Sequence, residues 1–94
     1  MRRIIDIHAH AFPEAIAWKA VEHIGNHYSI KMHGTGIISD LLESADRSGV
    51  DYVVIHSTAT RASQVKKVND WVAGHAGDKF IGFGTLHPDM EDIE

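Results

Sequence analysis

Cysteine is absent from the 94 residues, so no disulfide can staple the fold, and its absence fits a reducing, cytoplasmic setting. Long apolar runs are missing as well. None exceeds Tyr52 to Ile55, far short of the roughly 20 residues that cross a membrane as a helix. The opening Met1-Arg2-Arg3-Ile4-Ile5-Asp6 reaches a carboxylate after two apolar residues, which leaves no apolar stretch for a secretion signal. Basic charge is short too: nine Lys and Arg stand against 13 Asp and Glu, a net charge of −4. That balance argues against a phosphate backbone or an anionic membrane as partner. What remains is an ordinary globular composition, 44% hydrophobic and 23% charged, in a chain that allows a single domain with a core of modest stability. Histidine is the residue in excess, with eight copies.

The order of elements reads as β-α-α-β-α-β. Arg3 to His8 is a β-branched run, and Pro13-Glu14 opens a helix in which Ile16, Ala17, Ala20, Val21 and Ile24 recur at helical spacing up to a stop at Gly25. Asn26 to Gly36 lacks a period and reads as a loop. A second helix is expected from about Thr35, its N-cap, to Ser48, with Ile38, Leu41, Leu42 and Ala45 as its stripe and Gly49 just beyond its end. Val50 to His56 carries an unbroken apolar centre, the mark of a strand covered on both faces in a parallel sheet. Arg61 to Gly74 reads as a third helix. Lys79 to Leu86 follows as the third strand, its Gly82 and Gly84 marking a bend or a close backbone approach, and Pro88-Asp89 has the form of a further helix start. Strands alternating with helices imply βαβ crossovers and a parallel sheet, hence an α/β fold.

Asp6-Ile7-His8-Ala9-His10 is the sharpest chemical feature. Alternate strand residues share a face, so His8 and His10 are expected to project together about 6.6 Å apart along the strand, within reach of one metal ion. Asp6, a further step back on the same face, is placed to orient one imidazole through a hydrogen bond. The pair ends a strand, and the C-terminal strand ends are where α/β folds put their sites.

The segment IIDIHAHAFPEAI resembles the N-terminus of the amidohydrolase superfamily, in the amidohydrolase-related branch that includes aminocarboxymuconate-semialdehyde decarboxylase and related hydratases and hydrolases. The stretch LLESADRSGVDYVVIHSTATRASQVKKVNDWVAGHAGDKFIGFGTLHPD is similar to the same branch through its second and third βα units, so the resemblance covers almost the whole chain. PHP-type phosphoesterases and TatD-like deoxyribonucleases open with a similar D-x-H-x-H; the Ala11-Phe12-Pro13 that follows favours the amidohydrolase-related branch. The resemblance implies a metal-dependent (β/α)₈ TIM barrel, with its H-x-H ligands at His8 and His10. Zinc is the metal it implies most often, manganese sometimes. It also implies further histidine ligands on the fifth and sixth strands and a proton-handling aspartate on the eighth, none of which has a counterpart here. Residues 1–94 are then a single partial domain, the first three βα units, with the main catalytic acid or base expected beyond residue 94.

His56 and His87 each end a strand on the side of His8 and His10 and are expected to line the substrate space, with an ordinary strand-end hydrogen bond as the alternative for each. Arg61 and His33, with Tyr28 and Lys31, are placed to meet an acidic substrate or to stand as solvated loop and cap residues. His23 and His27 are four apart, but Gly25 interrupts the helix between them, and Gly82-Phe83-Gly84 lies inside a strand where no phosphate loop forms. The expected activity of the parent protein is hydrolysis or nonoxidative decarboxylation of a small carboxylate or amide. A non-catalytic βαβαβ interaction module and a metal-dependent phosphoesterase or nuclease are the alternatives. Three parallel strands leave open edges and an open barrel face, so a homo-oligomer is expected.

Overall fold

A computed structural model describes residues 2–91. Three strands, β1 (Ile5–His10), β2 (Tyr52–His56) and β3 (Phe80–Gly82), form one parallel sheet in the order β1-β2-β3. Helices α1 (Glu14–Tyr28) and α2 (Ile38–Arg47) connect the first two strands. A 3₁₀ turn (Ala62–Gln64) running into α3 (Val65–His75) connects the second and third. The α/β class and the parallel sheet expected from the sequence are therefore present. Among the described residues no helix is long and apolar enough to cross a membrane.

The strands run in sequential order, and the connecting segments pack residues of α2 and α3 on one face of the sheet. On that face Val53 and Ile55 of the middle strand are buried with Ala9, Ala11, Ala45 and Phe80, flanked by Ile38, Leu41, Val50 and Trp71. The other face carries Ile5, Val54 and Ile81 by register, and its outer residues stay open: Ile7 is 74% and Phe83 54% exposed. The solvent-accessible surface, 7204 Å², compares with about 5,400 Å² for a compact monomer of this mass. A radius of gyration of 14.1 Å, against about 12.4 Å for a compact chain of this length, gives the same picture of a one-sided slab.

Several boundaries differ from the sequence-based expectation, each for a local reason. Strand β1 begins at Ile5 and continues to His10, because Ala9 and His10 still pair with Ile55 and His56. Gly25 does not end α1. It is buried, and a Cβ there would lie 3.0 Å from the Ile30 carbonyl and the Met32 side chain, so this glycine permits a close approach. The chain reverses instead at Ser29, in the left-handed region at φ 55°. Thr35 is not the N-cap of α2, a place taken by Ile37; its hydroxyl accepts from the Ile37 amide at 3.2 Å and donates to Asp40 at 2.6 Å. Strand β3 is only three residues long, because beyond Phe83 the side chain of Asn69 on α3 takes both the amide and the carbonyl of Thr85, at 2.8 and 3.0 Å. Pro88-Asp89 forms a turn closed by Met90 N–H on the His87 carbonyl, and residues 92–94, where the expected helix start would continue, lie outside the described residues. Gly82 does mark a close approach: a Cβ would sit 2.6 Å from Val72 Cγ1 on α3.

Lys79 ties three elements at the bottom of the sheet. Its half-buried ammonium donates to the Val50 carbonyl ahead of β2 and pairs with Asp46 of α2 at 2.9 Å. Lys79→Met keeps the stem and removes both polar contacts. It is expected to lower the unfolding free energy by about 1 to 2 kcal/mol, read from the urea midpoint. An unchanged midpoint would show these contacts to be incidental.

Candidate metal centre

The register of β1 against β2 slips in the middle of the histidine motif. Ile5 pairs with Tyr52 and Asp6 with Val53, but Ala9 pairs with Ile55 and His10 with His56. Ile7 and His8 together therefore stand opposite Val54 alone, a β-bulge. The extra residue inverts the alternation of faces. Asp6 and Ala9 both fall in register with the helix-facing residues of β2, while His10 falls in register with His56 on the bare face. Asp6 thus does not share a face with His10, contrary to the expectation from simple alternation.

Asp6 acts on the main chain instead. Its Oδ1 accepts the backbone N–H of His8 at 3.0 Å, a donor that the bulge removes from the ladder. The carboxylate steadies His8 from the backbone side and hydrogen-bonds to neither imidazole of the pair.

The two imidazoles converge. His8 Nε2 and His10 Nε2 lie 3.0 Å apart, with ring centroids at 4.8 Å and planes at 67°. His10 Nδ1 is 2.9 Å from the His56 carbonyl. A carbonyl can only accept, so Nδ1 carries the proton and Nε2 presents a bare lone pair toward His8. In this arrangement His8 donates Nε2–H to that lone pair. Were a cation to take the place of the shared proton, His8 would carry its remaining proton on Nδ1.

His56 belongs to the same cluster. Its ring lies 4.7 Å from that of His8 and 5.1 Å from that of Phe83, and its Nε2–H donates to the Ile7 carbonyl at 3.0 Å. The other residues expected around a substrate are not brought into contact with the pair. His87 is held in its own turn, where Nδ1 accepts the Asp89 amide at 3.1 Å. Arg61 caps the 3₁₀ turn and His33 stands on the loop between α1 and α2, both exposed.

The donor set suits a borderline divalent ion. Two ligand nitrogens of a tetrahedral zinc, each about 2.05 Å from the metal, are separated by about 3.3 Å, so the observed 3.0 Å needs only a small ring adjustment. The Nδ1–H bond to a main-chain carbonyl is also the usual way a ligating histidine is held in orientation. Among the described residues, no group of three or more His, Asp or Glu side chains is assembled to hold a metal. No protein-family model, curated protein or solved structure matches this chain.

Proposed function

We propose that this chain supplies the first two metal ligands, His8 and His10, of a divalent metal-dependent enzyme of the amidohydrolase type, acting by hydrolysis or nonoxidative decarboxylation on a small carboxylate or amide. The observation that carries the reading is the pair of Nε2 atoms 3.0 Å apart at the C-terminal end of a parallel strand. Three sequential parallel strands with helices on one side and an apolar face on the other have the form of consecutive units of a (β/α)₈ barrel, whose sites lie at the same strand ends. Zinc or manganese fits this donor set, and when bound it supplies polarisation of a carbonyl or a water acidified to a pKa of about 7. His10, locked by the His56 carbonyl, offers its lone pair without losing a proton. His8 is steadied through Asp6 on its amide. Of the four residues expected around a substrate, this reading keeps His56, whose ring lies 4.7 Å from that of His8, and draws no support from His87, Arg61 and His33, which are not brought to the pair.

A non-catalytic interaction module is the second reading, and the uncovered apolar face favours it. Titration with cobalt(II), followed by visible absorption, separates the two. A partial site is expected to bind one equivalent per chain at micromolar strength or weaker, because a catalytic site draws on three protein ligands. No saturable binding up to millimolar metal would overturn the metal reading and leave the module.

A further inference from the structure

We infer that His56 is a positioning residue for the His8 and His10 pair, holding both imidazoles through two different atoms. This inference rests on the metal reading for its functional meaning, while its geometry stands in the chain without any metal.

At the bulge between β1 and β2, side chains satisfy two main-chain groups. The His8 amide goes to Asp6 Oδ1 at 3.0 Å, and the Ile7 carbonyl receives the ring Nε2–H of His56 at 3.0 Å. Each bond ties a side chain to the main chain and so restrains the backbone that carries the bonded group. The Ile7 carbonyl belongs to the peptide unit that leads into His8. Anchoring it sets the direction in which the His8 side chain leaves the strand.

The same residue acts on His10 through its own carbonyl, which accepts Nδ1–H at 2.9 Å and leaves Nε2 bare. Only the ring function depends on residue type, since every amino acid offers the carbonyl. Half-buried between His8 at 4.7 Å and Phe83 at 5.1 Å, the His56 ring is held in place and has its Nε2 committed to a carbonyl rather than to a ligand site. A phenyl ring of similar shape fills that space and leaves the Ile7 carbonyl unpaired. A glutamine places an N–H near the position of Nε2.

The test uses the full 94-residue chain with histidine-selective ¹⁵N labelling, beside His56→Phe and His56→Gln, and has a metal-free and a metal-bound arm. Without metal, the wild-type His56 ring is expected as the Nε2–H tautomer, and the His8 and His10 rings are expected to show cross-relaxation that His56→Phe loses and His56→Gln keeps. An Nδ1–H tautomer at His56 in the wild type overturns the inference even if neither variant folds. With zinc, His56→Phe is expected to bind about ten- to a hundredfold more weakly, and His56→Gln within about threefold of wild type. Equal behaviour of the two variants, or cross-relaxation retained in His56→Phe, also overturns it. Wild-type chain that fails to bind zinc removes the metal reading alone, and the metal-free arm still decides the role of His56.

Discussion

Replacing His8 and His10 together by alanine is expected to raise the zinc dissociation constant of the chain at least about a hundredfold while changing its unfolding free energy by less than about 1 kcal/mol. The two effects separate because the imidazoles lie on the exposed side of β1, whereas the buried residue between them, Ala9, is untouched. Strand pairing of Ala9 and His10 with Ile55 and His56 runs through the main chain, and the Asp6 bond to the residue 8 amide survives the substitution. What is lost in the apo chain is the solvent-exposed contact between the two imidazoles, the bond of His10 to a carbonyl and the contact of the His8 ring with that of His56. Calorimetric titration and urea unfolding on the same samples measure both quantities. Zinc binding within threefold of wild type would remove His8 and His10 as ligands. In an enzyme built on this pair, the same double substitution is expected to leave less than about a tenth of the activity, since both residues act only through the metal.

The residue identities at this site are readable from the sequence, but their mutual placement is not. D-x-H-x-H on a β-branched run names two imidazoles and a carboxylate, and period-two alternation sends all three to one face. The bulge is decided by which residues of β2 pair across the gap, with Val54 facing both Ile7 and His8, and nothing local in Ile7-His8-Ala9 announces it. Asp6 accordingly changes function, from a carboxylate for an imidazole to one for a main-chain amide. The strand-end position of His56 follows from the apolar run before it, but its bond to Ile7, 49 residues away, depends on the same slip.

The fold shows a similar division. Val53 and Ile55, the middle of an unbroken apolar run, are 1% and 0% exposed in the central strand, where the pattern places them. Glycines are harder to interpret because one residue type serves two ends. Gly49, at φ 75° just past α2, is the helix stop it resembles, whereas Gly25 is a contact glycine inside α1. Only the tertiary neighbours, Ile30 and Met32, distinguish the two cases. The shortness of β3 has the same origin: Asn69, on a helix 16 residues earlier in the chain, substitutes for ladder pairing at Thr85.

Self-association of the free chain is the second large effect expected. The bare face of the sheet presents Ile5, Ile7, Ile81 and Phe83, each between 41% and 74% exposed, beside the unpaired edges of β1 and β3. The loop between α1 and α2 does not cover it. That loop folds back on the helix side, with Gly36 against Val21 and Phe12 and the Ile30 amide on the Gly25 carbonyl. A contiguous apolar surface of this kind is rare on a monomer, and a standard interface buries about 800 Å² per partner, less than the surface this chain exposes beyond a compact monomer of its mass. Packing of two open faces is therefore expected to produce a dimer or larger species at micromolar concentration. Ile5→Lys combined with Ile81→Lys places ammonium groups on that face while leaving the helix-side core alone, and should shift the equilibrium to monomer. Sedimentation at several concentrations reads both chains. A single species of about 10 kDa for the wild type throughout the micromolar range would refute self-association. An unchanged dimer in the double-lysine chain would move the contact from the face to the strand edges, where side-chain charge on the face has little leverage over main-chain pairing.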